Sequence, residues 1–332
     1  TILINGKPSG LAGISSSDVI TQIPANSVDK IEVVTNPSAK YDPEGTAGIL
    51  NIILKKNMKP GMNGFISLNA GNGDKYNSSL SFNYNLGGIN FYTGYDSRSN
   101  NVNSVNNSLR STFLTGGESQ LSQIQNLFSK NRMHNANAGF ILPVSDLSSI
   151  SFDFQFRNMN MESDGKLTSN NSNSLNNITQ YSIRNSNAER GVSSYTYSGG
   201  YKYISPDKKE ELNFDFTYSD NKMERNEFIR QDNIDTYSGS VSDYFLQKNV
   251  SANTNKQLIS SLDFIYPLSE NGSLEGGLKV NRKKLTMNND YYNYNKQNNE
   301  YEQKSLPNYF DFEQTVYSAY FIYNQKINNF GF

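Results

Sequence analysis

Beyond about residue 64, apolar and polar residues alternate, and this period of two limits what the chain can fold into. One run has an aromatic or aliphatic residue at every second position: Leu212, Phe214, Phe216 and Tyr218. Successive side chains of a β-strand point to opposite faces, so such runs predict strands with one apolar and one polar face. The pattern predicts about ten antiparallel strands, near residues 64–71, 77–86, 89–97, 132–142, 148–158, 193–204, 211–220, 257–267, 273–284 and 315–324.

The connections between these predicted strands alternate in length. The connections at one end are short: 87–88, 143–147, 205–210, 268–272 and 326–329. Those at the other end are predicted as long loops, apart from the tight 72–75: 98–131, 159–192, 221–256 and 285–314. Short periplasmic turns and long extracellular loops are typical of outer-membrane β-barrels. A soluble β-sandwich or an adhesin stalk is the alternative. In neither of these is there a physical reason for short and long connections to alternate regularly along the chain.

The composition is compatible with such a barrel. Hydrophobic residues make up 35% of the chain, below the usual ~45–50%, while Tyr (22) and Phe (19) are abundant. A barrel strand needs apolar residues only at alternate positions, which keeps the mean hydropathy low. The net charge of −1 gives no electrostatic case for binding nucleic acid, and the lack of cysteine excludes disulfides and thiolate metal sites.

The first 60 residues follow a different pattern, one of mixed α/β structure. Short strands are predicted at Ile2–Ile4, at 31–34 and at 48–54. The polar run 15–18 predicts the start of a short helix, and 59–61 reads as a linker. The chain therefore divides into a small domain at 1–60 and a β-domain at 61–332.

The small domain resembles the end of the plug of TonB-dependent outer-membrane receptors. Residues 31–56 read IEVVTNPSAKYDPEGTAGILNIILKK and follow an earlier strand and turn, ILINGKP, at residues 2–8. The positions that carry the plug motif are Gly6, Ile31, Glu32, Asn36, Pro37, Tyr41, Gly45, Gly48 and Asn51. Thr35-Asn36-Pro37 stands where the common receptor form has Arg-Gly before the proline. This variant looks like the outer-membrane β-barrel subgroup abundant in Bacteroidetes.

The resemblance implies a mainly β architecture. The C-terminal part of a small α/β plug would be followed by the N-terminal part of a transmembrane β-barrel with about 22 strands in the whole protein. The chain is thus expected to be a piece that begins inside the plug and stops partway round the barrel. Asn329 to Phe332 are expected to begin an eleventh strand.

The resemblance also implies a location and a set of partners. The location is the outer membrane of a Gram-negative bacterium, in contact with its lipid and lipopolysaccharide. TonB would bind a segment preceding this chain, and the imported ligand would be a small molecule, a peptide or a glycan. The turn at Pro8, Ser9 and Ser15 is the candidate ligand-facing part of the plug.

No arrangement of residues typical of catalysis is visible, so neither an enzyme nor a cofactor is predicted. The single histidine, His134, has no cysteine to join it as a metal ligand. Arg282-Lys283-Lys284 lies at a strand end and is either solvated or in contact with lipopolysaccharide phosphates. A short helix is predicted inside 98–131 from apolar residues at helical spacing: Leu121, Ile124, Leu127 and Phe128.

Three functional hypotheses remain open at this stage. The first is a receptor that imports a scarce nutrient with energy supplied through TonB. The second is an outer-membrane scaffold or adhesin that transports nothing. The third is a secreted β-protein.

Overall fold

The structure is a computed structural model that describes residues 2–4, 7–8, 28–34, 49–54, 61–114, 117–173, 177–207, 210–269, 272–303, 308–327 and 330–331. Within these ranges the secondary structure is entirely strand and turn: β1 (Ile2–Ile4), β2 (Lys7–Pro8), β3 (Val28–Val34), β4 (Ile49–Leu54), β5 (Gly61–Gly71), β6 (Lys75–Leu86), β7 (Ile89–Leu114), β8 (Gly117–Ser145), β9 (Ser148–Ser172), β10 (Ile178–Ile204), β11 (Glu211–Ile234), β12 (Val241–Ser269), β13 (Gly272–Asn295), β14 (Glu300–Gln303), β15 (Asn308–Ile327) and β16 (Phe330–Gly331). No helix in the described ranges is long and apolar enough to cross a membrane.

The first four strands form a separate sheet with the order β2-β1-β4-β3. β1 runs parallel to β4, and β3 runs antiparallel to it. The three strands predicted in this part of the chain are therefore present. The predicted helix after residue 15 lies outside the described residues, and the assignment of residues 1–60 to a plug stays a prediction.

The remaining strands form one large antiparallel sheet. Its order is β16-β15-β13-β12-β11-β10-β9-β8-β7-β6-β5, with β14 paired to β13. β5 to β13 and β15 correspond one to one with the strands predicted from the alternation. The short β16 pairs with β15, as expected for the start of a further strand. This continuous sheet of sequential hairpins confirms the prediction of a partial antiparallel barrel.

The predicted long loops are wrong, because most of their residues continue the strands. β7 runs on to Leu114 and β8 begins at Gly117, so the described residues of the predicted loop 98–131 are paired as a hairpin. The other three predicted loops are likewise mostly strand. These segments are rich in Asn and Ser on both faces, so they show no apolar alternation, yet their backbone groups pair whatever their side chains are.

The helix predicted within 98–131 is also wrong. Its four apolar residues lie in β8, where Leu121 and Leu127 point to one face and Ile124 and Phe128 to the other. Spacings of three and four residues place side chains on one face of a helix. In a strand, the odd spacing of three changes the face, so the same residues form no apolar stripe.

One face of the large sheet carries a belt of apolar side chains near the short turns. Directly paired residues on neighbouring antiparallel strands point to the same face. One row at this level crosses nine strands with apolar side chains throughout. It consists of the pair Leu86 and Ile89 and, as one unbroken series of pairs, Leu142, Ile150, Tyr201, Phe214, Leu262, Leu278 and Ala319. On β11 the belt extends from Leu212 to Tyr218, which is roughly 20 Å of strand at ~3.3 Å per residue.

No second protein layer covers this belt in the described part of the chain. There, only Ile52 and Val192 are buried hydrophobic residues, at 2% and 8% exposure, whereas belt residues such as Phe321 remain largely exposed. A contiguous apolar surface of this size on a single-layer sheet needs a non-aqueous neighbour. The belt is therefore the lipid-facing surface of a transmembrane sheet.

On the face opposite the belt, two tyrosine rings make the same arrangement of contacts. Each ring lies over a glycine on the neighbouring strand, and its hydroxyl donates a hydrogen bond to an aspartate on the strand beyond. Tyr92 on β7 lies over Gly139 on β8, and its hydroxyl donates to Asp153 Oδ2 on β9 at 2.9 Å. Tyr320 on β15 lies over Gly277 on β13 in the same way and donates to Asp263 Oδ1 on β12 at 2.5 Å. Each glycine leaves space for the ring to span three strands, which fixes their register.

Candidate functional site

The face opposite the belt, called the polar face from here on, is the enclosed side of the sheet. It carries the buried polar residues of the long strands: Ser129, Arg157, Ser194, Thr196, Thr217 and Ser219. Thr196 and Ser219 hydrogen-bond to each other across β10 and β11, as do Ser198 and Thr217. Polar side chains that bury one another while the apolar side chains stay exposed indicate a sheet curved toward its polar face, as around a lumen.

A row of methionines crosses the polar face just beyond the level of the belt. The row consists of seven directly paired residues on successive strands: Met133, Met159, Val192, Met223, Asn253, Met287 and Phe310. Met161 points to the same face two residues after Met159. Five of the seven methionines in the chain thus point to the polar face. These seven paired residues together with Met161 are called the methionine row below.

Arginines lie beside the methionine row and contact it. Arg157 is 6% exposed, and its Nη2 donates to Met133 Sδ at 3.6 Å. Arg190 Nη2 donates to Met223 Sδ at 3.3 Å. Arg190 is also directly paired with Arg225, whose Nη2 donates to Glu227 Oε1 at 3.0 Å.

This combination of side chains has a definite binding chemistry. Thioethers are flexible and polarisable and adapt to apolar or aromatic groups. Guanidinium groups recognise carboxylate and phosphate oxygens, and the directly paired Arg190 and Arg225 bring two positive charges together beside the one carboxylate of Glu227. The row with its arginines is therefore suited to an anionic solute that has an apolar body.

The sequence alone did not reveal this surface. Met133, Met159, Met223 and Met287 are far apart in the chain and show no common motif. They form a row only because each hairpin fixes the register between its two strands. The sequence does indicate which face each methionine occupies, because each lies an odd number of residues from the outward-facing aromatic residues of its own strand.

The predicted plug-motif residues are only partly within the described ranges. Asn51 is 6% exposed and its Nδ2 donates to Glu32 Oε2 at 2.9 Å, while Lys30 forms an ion pair with Glu32 at 2.7 Å. Ile31 lies beside them in β3 and pairs with Ile52. Pro8 lies in β2 opposite Leu3. The other predicted residues lie outside the described ranges, and the roles of all of them stay predictions: Gly6, Ser9, Ser15, Asn36, Pro37, Tyr41, Gly45 and Gly48.

His134 lies on the belt side of the sheet, at the edge of the belt. Its Nδ1 is 2.7 Å from the hydroxyl of Tyr95, and the two rings stack. Among the described residues, no three His, Asp or Glu side chains are grouped so as to hold a metal ion.

The hairpin between β11 and β12 is held by the carboxylate of Asp235. Its Oδ1 accepts hydrogen bonds from the backbone N–H of Ser238 at 2.7 Å, from the Ser238 hydroxyl at 2.8 Å and from the N–H of Tyr237 at 3.1 Å. The hydrogen bonds from Ser238 are the main reason that the pKa of Asp235 lies below its ordinary value.

We expect this hairpin to loosen in acid. A carboxylate whose pKa is lowered by folding stabilises the fold above its ordinary pKa, and that stabilisation is lost as the pH falls through the lowered pKa. The amide proton of Ser238, followed by NMR, should titrate with a midpoint below the ordinary aspartate value of 3.8. In Asp235→Asn the titration should disappear; a midpoint at or above the ordinary value would contradict the proposed turn.

Comparisons with known proteins agree with the membrane assignment. Residues 205–332 match the outer membrane protein beta-barrel family. No curated protein matches the chain. The family match and the exposed belt place the protein in the outer membrane of a Gram-negative bacterium, as the sequence predicted.

Two solved structures illustrate the extent of the likeness. The siderophore receptor PiuA from Acinetobacter baumannii is 12% identical over 98% of this chain and 54% of its own length, with a TM-score of 0.38. The ferric yersiniabactin uptake receptor FyuA from Yersinia pestis is 11% identical over 98% of this chain and 52% of its own length, with a TM-score of 0.33. The chain thus spans about half the length of these receptors.

Proposed function

We propose that the chain is part of an outer-membrane receptor that imports a scarce nutrient with energy supplied through TonB. In this proposal residues 1–60 are the C-terminal part of the plug and residues 61–332 the N-terminal part of the barrel. The Asn36-Pro37 variant of the plug motif supports membership of the subgroup abundant in Bacteroidetes. TonB would act on a segment that precedes this chain.

The observation that carries the proposal is the contrast between the two faces of the sheet. A scaffold needs only the lipid-facing belt. A transporter also needs a lumen wall that offers specific contacts to a solute. The methionine row, with Arg157 and Arg190 bonded to its sulfur atoms, supplies such contacts. The turn at Pro8, Ser9 and Ser15 would complete the ligand site from the plug.

Uptake by whole cells tests this function. Cells producing the complete protein are given four labelled probes in turn: a ferric chelate, cobalamin, a peptide mixture and an oligosaccharide mixture. At least one probe should accumulate above the level of cells that lack the receptor, and deletion of tonB should abolish the difference. Accumulation that persists without TonB would contradict active transport, and no accumulation of any probe would favour the scaffold hypothesis.

The methionine row is tested in the same assay with paired variants. Arg190→Gln and Arg225→Gln each remove a positive charge from the polar face, and both should raise the probe concentration needed for half-maximal uptake. Lys166→Gln serves as the control, because it removes a positive charge from the opposite face. Equal effects of all three variants would exclude a specific role for the row.

A further inference from the structure

The belt ends differently on the two halves of the sheet. On β6 to β10, the first outward residue beyond the last apolar position is not an Asp, Glu, Lys or Arg. These residues are Ser78, Ser97, His134, Asn158 and Ser193. On β11, β12 and β13 the corresponding residues are the charged Asp220, Lys256 and Arg282. On β15 the corresponding residue is Thr315, with Glu313 one outward position further, just as Arg132 follows His134 on β8. At the first outward position, which is the edge of the belt, charged residues are thus confined to three adjacent strands, β11, β12 and β13, among the strands compared.

Three positive groups are concentrated at this edge. Lys256 and Lys284 are directly paired across β12 and β13, and Arg282 lies two residues before Lys284 on the same face. Like charges directly opposite each other on a sheet are unfavourable unless anions lie between or beside them. The three side chains are 49% to 60% exposed, so their charged groups are accessible from outside the sheet.

Each of the three has an acidic neighbour on the protein. Lys256 Nζ is 3.5 Å from Asp220, Lys284 Nζ is 3.7 Å from Asp311, and Arg282 Nε donates to Glu313 Oε1 at 3.0 Å. Exposed ion pairs of this kind contribute little to stability. A phosphate group with a higher charge and more acceptor oxygens can therefore replace or join these carboxylates, particularly at the arginine.

The position of the cluster identifies the leaflet that it meets. The belt lies next to the short turns, whereas the opposite ends of the strands continue far beyond it, β12 for example from Lys256 to Val241. Short turns face the periplasm in outer-membrane barrels, so the charged edge lies at the extracellular surface. Lipopolysaccharide occupies that leaflet, with phosphates at the boundary between its acyl chains and its sugars.

We propose that Lys256, Arg282 and Lys284 form a binding site for the phosphate groups of lipopolysaccharide. The acyl chains lie against the belt below the cluster, on Leu258 and Val280, while the phosphates contact the three positive groups. The site depends on the membrane orientation of the sheet and not on the transport proposed above.

Native mass spectrometry of the complete protein in detergent, titrated with purified lipopolysaccharide, tests the site. Wild-type protein should bind lipopolysaccharide, and the triple variant Lys256→Gln, Arg282→Gln, Lys284→Gln should bind it at least about tenfold more weakly. The matched control is Lys166→Gln, Arg230→Gln, Lys248→Gln, which removes two lysines and one arginine from the same face far beyond the belt. This control should bind like wild type.

Two further arms use wild-type protein and therefore do not depend on the folding of a variant. Lipopolysaccharide stripped of its lipid A phosphates should lose at least about tenfold in affinity, and phosphatidylglycerol should bind more weakly than intact lipopolysaccharide. Unchanged affinity for the stripped lipid, equal binding of phosphatidylglycerol, or equal losses in both triple variants would overturn the proposal. The measurement involves neither TonB nor uptake, so its result is independent of the transport test.

Discussion

Gly139→Ala should destabilise the barrel by roughly 2–5 kcal/mol, the sum of a steric and a hydrogen-bonding effect. A Cβ at this position would lie 2.4 Å from Tyr92 Cζ and 2.7 Å from the backbone oxygen of Phe152. The ring can move away, but the backbone oxygen belongs to the neighbouring strand and cannot do so without disturbing the sheet. Movement of the ring also breaks the hydrogen bond from Tyr92 to Asp153.

The control for this substitution is Gly191→Ala, also in the interior of a long strand. The nearest atom to its added Cβ is Asn160 Oδ1 at 3.5 Å, an ordinary contact. Unfolding by urea of the complete protein in lipid vesicles, followed by its heat-dependent shift on gels, measures both variants. Gly139→Ala should unfold at clearly lower urea than Gly191→Ala, and equal midpoints would show that the packing of Tyr92 over Gly139 does not hold the strands together.

The membrane-embedded halves of the strands could be predicted because lipid imposes a pattern on the sequence. β11 illustrates this: its alternating residues 211–220 were predicted, but the strand continues to Ile234. Beyond the belt both faces of the strand are in polar surroundings, so selection no longer separates apolar from polar positions. Backbone pairing then continues without a signature in the side chains, which is why the sequence predicts a loop where the strand continues.

The methionine row, the candidate functional surface, could not be predicted, for a related reason. The contact between Arg190 and Met223 joins residues on two strands, and it depends on the register fixed by the hairpin at 205–210. A shift of one residue would move Met223 to the belt side. The sequence specifies the residues on each face, whereas their neighbours across the sheet depend on all the intervening turns.

Leu262→Arg should destabilise the membrane-inserted protein by roughly 2–4 kcal/mol, as expected for a charge at the bilayer midplane. Leu262 lies near the middle of the belt on β12 and is exposed on its outward face. In hydrocarbon the guanidinium loses its hydration, and in the part of the chain that the structure describes no acidic group of the belt lies next to it to form an ion pair. The same vesicle assay in urea measures the loss, and folding in detergent should be affected much less than folding in lipid.

Ser261→Arg places the same side chain one residue away on the polar face, where Ser261 pairs with Asp215 and Lys279 in the register of the sheet. There the guanidinium lies on the polar side of the sheet, where the Asp215 carboxylate on one neighbouring strand offsets the Lys279 charge on the other, so the expected cost is about 1 kcal/mol or less. The two adjacent substitutions introduce the same side chain and the same change in net charge, on opposite faces of the sheet. A third variant, Leu262→Ser, measures the part of the loss that comes from removing the leucine. If both were equally damaging, the assignment of the belt to lipid and of the polar face to the lumen would be wrong, and with it the membrane orientation on which the proposed receptor and the lipopolysaccharide site depend.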